Sequence, residues 1–556
     1  MFRDSVLRDA IILVLVCFFV FWWRLGSLGL IDPDEPFYAQ TAHEMVVTGD
    51  WVTPQIFGHP QFEKPILFYW LTAASYKIFG ESELTGRIPS ALPGTLLVGL
   101  VYVFGIGFFG RRTALLAALV LATGVEYAIM SRLMLTDIAL ALFIAGALFS
   151  YWRALEDEKA EGRWIILHFI CGGLAVLTKG PVASLVTLLA IGTFSWLTKR
   201  RIPYRGSALW IGLVLWFLIS WPWYIVMQWK YGMEFFNEFF INDNWMRLIK
   251  AEHPTNNRYG GFLLYYVVIL AGGSLPWIPA VAVAVRRACR GLRSDPRQAF
   301  LWSWILSSLI FLTIAQSKLP SYVFYVFVPL AMVVAMAIDE WLERGFRDAI
   351  EHRLAAGFAV FQILAAVGCT LSDKARPFAA AALPLGVCLI AGLVLAKCQR
   401  RGWAVAAHVT GTLVLIFGAL TFSREHVEKH LSARPVAQAM MKDRAASEQL
   451  LAGNFLARGV HYYTLQPVKV LTNRKKAFWS DHPLPMVIGR KGLEAFVAEN
   501  GPVRITIRDS EWNSTWKKSP LFDNAKPEFF GENVVVRATP LPAPAPAVEE
   551  DKKEKN

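Results

Sequence analysis

The sequence is short of charge. Asp, Glu, Lys and Arg make up 18% of its 556 residues, against 55% hydrophobic and 13% aromatic ones, and the mean hydropathy is +0.40. Average soluble domains carry more charge and less apolar bulk, so an ordinary soluble globular chain is excluded and a polytopic membrane protein is left. Cysteine is also scarce. Cys17, Cys171, Cys289, Cys369, Cys388 and Cys398 are scattered through apolar runs or short basic loops, with no CxxC and no Cys/His metal spacing; a disulfide framework is not expected. The first apolar run, Ala10 to Phe21 extended by Trp22 and Trp23, lacks a small-residue cleavage site and reads as a retained anchor. No internal repeat of the transporter kind is present. The net charge of +13 is no sign of nucleic-acid binding, because cytoplasmic loops of membrane proteins are basic in any case.

What is present is a succession of apolar segments of bilayer length, about 20 residues each. They run over 10–30, 90–110, 113–131, 136–154, 164–179, 181–198, 207–227, 261–284, 299–316, 320–338, 354–371, 378–396 and 402–421. The expected fold is therefore an all-α polytopic membrane domain over 1–421 with about thirteen transmembrane helices. Arg111-Arg112, Lys199 to Arg205, Arg286 to Arg297 and Lys397 to Arg401 fall on one side, as do Arg3 and Arg8. The positive-inside rule makes that side cytoplasmic, and an odd number of spans sends the C-terminus outside. After residue 421 the composition changes. Val468–Leu471, Met486–Ile488, Val503–Ile507 and Val534–Val536 read as short strands, and helices are expected near 433–446 and 491–499. This is a small α/β domain over 422–539, followed by a Pro- and charge-rich tail, 540–556, of disordered character.

The outer face carries the unusual residues. Ile31-Asp-Pro-Asp-Glu-Pro-Phe-Tyr38 follows directly on the first apolar run, and Pro33 and Pro36 forbid a smooth helix through it. Asp32, Asp34 and Glu35 at a membrane rim are costly unless they face water, a cation or a polar substrate; a solvated helix-end loop and a site are both compatible with that. In the same 31–89 loop, 38–48 has helical spacing and 65–79 is rich in aromatics, as expected of short helices in the membrane interface; 229–250 looks similar. Glu63-Lys64-Pro65 is either a surface ion pair of little worth or a metal-ligating or orienting carboxylate beside a phosphate-binding lysine. Asp137, after Thr136, suits a helix N-terminus, but it opens a span on the outer face. Lys179-Gly180-Pro181 is a tight outer turn whose lysine either snorkels to the interface or meets an anionic headgroup. Arg247 and the lone His253 share an outer loop, and Lys318-Leu-Pro-Ser-Tyr322 forms another outer turn. Carboxylates and cations collected on one face among interfacial aromatics suit an amphiphile with an anionic head, such as a lipid-linked phosphosugar. Transfer of its sugar leaves a polyprenyl phosphate, whose charge Lys, Arg or a divalent metal would stabilise.

The series Asp32-Pro-Asp-Glu-Pro-Phe-Tyr-Ala39, Phe62-Glu-Lys-Pro65 before Tyr69-Trp70, Thr136-Asp137, Thr178-Lys-Gly-Pro181 and Lys318-Leu-Pro-Ser-Tyr322 resembles the lipid A aminoarabinose transferases. These are membrane glycosyltransferases of the GT-C fold, in the superfamily of the protein O-mannosyltransferases. The resemblance spans most of the membrane domain. It implies an inverting transferase in the bacterial inner membrane that takes a sugar from an undecaprenyl-phosphate-linked donor to lipid A or a related acceptor, acting among membrane lipids as a monomer, with its site on the periplasmic face. It implies Asp34 as the central carboxylate, Glu35 as its support and Asp137 opposite it. It implies Tyr38, Lys64, Lys179, Arg247, Lys318 and Tyr322 as substrate-binding residues. It also implies a divalent ion, zinc, magnesium or manganese, on Glu63 and His253, and no organic cofactor. One departure stands out: where the family carries Arg before the tyrosine equivalent to Tyr38, this sequence has Phe37, which removes a cation. Two other readings remain, another sugar or acceptor (protein O-mannosylation included) and a lipid transporter or flippase. A transporter would place ionisable residues mid-span and break its helices in paired halves; here they lie at outer span ends.

Overall fold

The computed structural model describes residues 2–250, 264–291, 295–371, 375–474, 484–523 and 525–540. The chain folds as two compact units: Met1–Gly29 with Phe37–His426, and Leu30–Pro36 with Val427–Asn556. The acidic segment after the first apolar run thus belongs to the C-terminal unit, which the sequence placed wholly after residue 421.

The first unit is helical. Ten described helices are long and apolar enough to cross a membrane. Their limits follow local chemistry. Glu83–Phe109 starts at Ser82, which caps Thr85 N–H reciprocally with Thr85, and stops at Gly110, φ 97°. Of the other expected spans, Val182–Thr198 is a 17-residue helix, and two are broken. Arg111–Ala122 is separated from Val125–Met130 at Thr123-Gly124, and Tyr265–Gly273 from Ile278–Gly291 at Ser274 to Trp277. The breaks serve each other: Val125 N–H donates to the Leu275 carbonyl (3.0 Å) and the Trp277 indole to Thr123 Oγ1 (3.0 Å). The Pro276 carbonyl receives the Gln362 amide at 3.0 Å and lies 3.1 Å from His408 Nε2. Irregular backbone inside a helical bundle is tolerated where neighbours supply such partners.

The basic clusters of the sequence are tied into the helices. Arg287 pairs with Glu351 at 2.9 Å and Glu340 at 3.1 Å, Arg286 with Asp348 at 2.8 Å, and Arg112 with Asp339 and Glu343. At the other ends of the helices the long first loop forms the expected short helices, Asp34–Thr48 and Leu67–Phe79. Between them lies a two-stranded turn, Gln55–Ile56 with His59–Pro60, whose Phe57 and Gly58 N–H groups donate to the buried Glu44 carboxylate (2.5 and 2.9 Å). The Trp70 and Trp223 indoles donate to the Trp51 and Val52 carbonyls (2.6 and 2.9 Å). The loop is thereby fixed to the helix Gly206–Phe235.

The second unit carries a six-stranded sheet in the order Met486–Ile488, Val468–Thr472, Gln449–Gly453, Val503–Arg508, Asn533–Ala538, Glu528–Phe530. The first four strands are parallel and the last two antiparallel to their neighbours. Ala457–Thr464 and Gly489–Asn500 cross between parallel strands, as parallel pairing requires. Leu451, Ile505, Val536, Trp512 and Trp516 form its core. The strands expected from sequence are all present. Gln449–Gly453, Glu528–Phe530 and the helix Ala457–Thr464 are additional, and the expected tail lies outside the described residues from 541 on.

Candidate active site

In the first unit, polar side chains gather where several helices end. Asp137 is the first residue of Asp137–Glu156 and is buried. Lys179 is the last residue of Glu161–Lys179, which stops because Gly180 takes φ 96°. A Cβ at Gly180 would stand 3.2 Å from the Phe239 ring and 3.4 Å from Asn244 Oδ1, so glycine both turns the chain and lets the 236–246 segment approach. The Lys179 ammonium pairs with the Asp137 carboxylate and lies 5.2 Å over the ring of Tyr322. An acid at a helix N-terminus and a cation at a helix C-terminus are each favoured by the backbone dipoles.

Tyr322 stands on the 3-10 turn Pro320–Val326 and hydrogen-bonds with Arg247. The turn is anchored by Gln316 and Ser317 N–H, which donate to the Leu248 and Arg247 carbonyls (3.1 and 3.0 Å). Arg247 in turn pairs with Asp243 at 2.6 Å, and Lys64 Nζ lies 3.8 Å from the same carboxylate. Lys64 also donates to the Glu63 carbonyl (2.9 Å), and Glu63 N–H to Gln61 Oε1 (3.1 Å). Two cations therefore share the Asp243 carboxylate. Burial holds the Lys64 ammonium below the usual lysine range, with Arg247 and Lys179 pushing the same way and Asp243 and Glu63 opposing. Such a group is stabilised by an arriving anion.

The structure thus brings together Lys64, Asp137, Lys179, Arg247 and Tyr322 of the sequence-derived candidates. Asp243 was missed by sequence reasoning; its i,i+4 spacing to Arg247 in an aromatic outer segment was the available signal. Tyr38 is buried and sits edge-on to Phe68 (5.3 Å) and tilted on Tyr69 (5.7 Å). Phe37 joins the same aromatic cluster, 5.3 Å from Tyr38 and 6.4 Å from Tyr69, so the departure at this position fills apolar volume. Lys318 is buried, and its ammonium donates to the Thr313 carbonyl at 2.9 Å and to that of Ala315. It closes the C-terminal end of Pro296–Ile314.

The three acids of the opening stretch separate. Asp32 is buried in the second unit, its carboxylate accepting from Ala433 N–H (2.8 Å) and Gly459 N–H (3.1 Å). Burial pushes this carboxyl well above the ordinary range against the pull of those two donors. Glu35 is buried and accepts from Ile31 N–H at 2.7 Å, in the manner of a helix-start box. Asp34, first residue of Asp34–Thr48, is exposed.

His253 lies outside the described residues. Among the described residues no group of three or more His, Cys, Asp or Glu side chains is placed to hold a metal ion. The Asp243 carboxylate is engaged by Lys64 and Arg247. The described donor set does not by itself fit a divalent ion.

The family of dolichyl-phosphate-mannose-protein mannosyltransferases matches residues 10–235. The chain is 29% identical over 415 residues to an undecaprenyl phosphate-alpha-4-amino-4-deoxy-L-arabinose arabinosyl transferase of Serratia proteamaculans, 71% of this chain and 74% of the relative. It is 29% identical over 425 residues to the protein of that name from Pseudomonas aeruginosa, 74% and 76%. Its fold matches the crystal structure of ArnT from Cupriavidus metallidurans bound to undecaprenyl phosphate with a TM-score of 0.76 at 23% identity, covering 95% of this chain and 97% of that one. With ten described helices long and apolar enough to cross a membrane, the fold of that crystal structure and sequence relatives that are glycosyltransferases, the chain is a multi-pass membrane glycosyltransferase. Within that class the chain is aminoarabinose-transferase-like.

Proposed function

We propose that the protein transfers 4-amino-4-deoxy-L-arabinose from undecaprenyl phosphate to lipid A or a closely related acceptor, with inversion, at the periplasmic face of the bacterial inner membrane. The observation that carries this reading is the pair of cations, Lys64 and Arg247, sharing Asp243 beside Lys179 and Tyr322. In the transfer an acceptor oxygen attacks the anomeric carbon, the bond from that carbon to the donor phosphate oxygen breaks, and the electron pair stays on undecaprenyl phosphate. Lys64, Arg247 and Lys179 stabilise that departing charge. Asp137 holds the Lys179 ammonium in place. Asp34, the exposed acid of its segment, orients the acceptor and stabilises the oxocarbenium-like sugar. A lipid A phosphate is already an anion near neutral pH and needs no general base. The N-terminus is cytoplasmic and the C-terminal unit periplasmic in this reading, which the positive-inside rule applied to the basic loops supports. A divalent ion on Glu63 and His253 remains a separate proposal and no step runs through it.

Mass spectrometry of lipid A from cells with and without the gene tests the acceptor. An aminoarabinose increment present only with the gene is expected; an unchanged lipid A with a glycan lost from membrane proteins would favour the second reading. That reading, transfer to protein hydroxyls, is supported by the match to the protein mannosyltransferase family over residues 10–235. There Asp34 would have to remove the hydroxyl proton.

The Lys64 assignment predicts a pH dependence. A lysine whose folded pKa is lowered loses its charge at lower pH than the ordinary value of about 10.4, so transfer should decline on an alkaline limb below that value. Lys64→Arg, cationic throughout, should move the limb up. A limb identical in wild type and Lys64→Arg would remove Lys64 from the anion-binding role.

A further inference from the structure

The sheet of the second unit reverses its winding between Gln449–Gly453 and Val503–Arg508: the chain moves outward through Val468–Thr472 and Met486–Ile488, then returns to the other side of the first strand. The connection leaving Gln449–Gly453 leads into the helix Ala457–Thr464. In open α/β sheets, the region beyond the carboxyl ends of the strands at such a reversal is where polar ligands are received. Here a piece of the chain itself occupies the helix start. Asp32 directs its buried carboxylate at Gly459 N–H (3.1 Å) and Ala433 N–H (2.8 Å), and its own N–H donates to the Leu431 carbonyl (2.8 Å). Leu30 N–H donates to the Tyr463 hydroxyl at 2.7 Å. Gly459 is required by the fit: a Cβ there would stand 2.3 and 2.6 Å from the two Asp32 oxygens. Four bonds to four different residues hold a segment of seven, Leu30–Pro36. Simple loop closure does not call for a buried carboxylate on two backbone donors. The next acid along, Asp34, is left exposed at the start of Asp34–Thr48.

We propose that Asp32 is a positioning residue for sugar transfer: latched to Ala433 and Gly459, it fixes Leu30–Pro36 and with it the Asp34 carboxylate at the start of its helix. This rests on the role of Asp34 given under the proposed function. Loss of the latch misplaces a carboxylate without removing it, so it lowers turnover and leaves the affinity for the donor lipid in place.

The test uses the full-length enzyme in detergent or liposomes, with Asp32→Asn, Gly459→Ala, the double variant and Tyr463→Phe. Asp32→Asn presents an amide N–H to a backbone donor, and Gly459→Ala closes the cradle from the other side. Each should lower kcat by about 100-fold, the loss expected of a displacement of about 1 Å, with donor KM changed less than about threefold, since uniform binding is untouched. The double variant should be no worse than either single one, because both remove the same contact. Tyr463→Phe removes the hydroxyl that receives Leu30 N–H and should cost about three- to tenfold in kcat. It decides the matter if Asp32→Asn does not fold. Wild-type kcat in Asp32→Asn or in Tyr463→Phe, multiplying losses in the double variant, or a donor KM that rises in step with the fall in kcat would each overturn the latch. Asp34→Asn is the control. If it is inactive while Asp32→Asn and Gly459→Ala work normally, only the latch fails; if Asp34→Asn itself turns over normally, the reading of the site fails and the latch with it.

Discussion

Asp34→Asn is expected to lower kcat by about 10³-fold or more, within the range that a positioned carboxylate contributes to proton handling and charge stabilisation. Asp32 is consumed by two backbone donors and Glu35 by the Ile31 N–H. Asp34 is the exposed one of the three. The substitution should leave the fold alone, because the side chain is exposed and asparagine serves a helix start nearly as well as aspartate. A normal unfolding midpoint with turnover near background is therefore the expected pairing. Wild-type kcat in a well-folded Asp34→Asn enzyme would remove the carboxylate from the mechanism.

The second large effect concerns Asp137 and Lys179. Both are largely buried, with side-chain exposures of 7% and 14%. Removing one partner of a buried pair leaves an uncompensated charge and costs about 3–5 kcal/mol. Asp137→Asn and Lys179→Gln should each show that loss in thermal unfolding, and Lys179→Gln should also lose transfer because a cation facing the leaving phosphate is gone. The double variant Asp137→Asn/Lys179→Gln separates the two consequences. It should recover most of the stability, as neutral replacements of buried ion pairs commonly do, and recover no turnover. Recovery of both would make the pair purely structural. Additive destabilisation in the double variant would mean that the two groups do not interact.

Much of this architecture could be read from the sequence, and the reasons are physical. Bilayer length and apolar composition mark the spans strongly, and the short helices of the first loop declared themselves by their aromatic residues and spacing. The helix breaks at Thr123-Gly124 and Ser274 to Trp277 did not. Each depends on partners 150 or so residues away, such as the Trp277 indole on Thr123, which no local pattern encodes. The strand Gln449–Gly453 was overlooked because it has no β-branched or aromatic residue and ends in glycine, although it lies at the centre of the sheet. Among the site residues, Lys64, Asp137, Lys179 and Tyr322 were legible as single ionisable or aromatic groups in a long loop or at span ends. Which of them meet was not. Lys318 looked equivalent to Lys179 in sequence, yet one closes a helix end on backbone carbonyls and the other pairs with Asp137. Asp32 and Asp34 are two residues apart in the same motif; the resemblance pointed to Asp34, and the burial of Asp32 against Gly459 is what no local pattern encoded.

The most direct test of the central claim is reconstitution. Purified full-length protein in liposomes is given undecaprenyl phosphate-linked aminoarabinose and lipid A, and both lipids are followed by mass spectrometry. The account predicts that free undecaprenyl phosphate and aminoarabinose-bearing lipid A appear in equal amounts, and that Asp34→Asn forms neither. Donor lipid that stays intact, or that only changes leaflet, would contradict it.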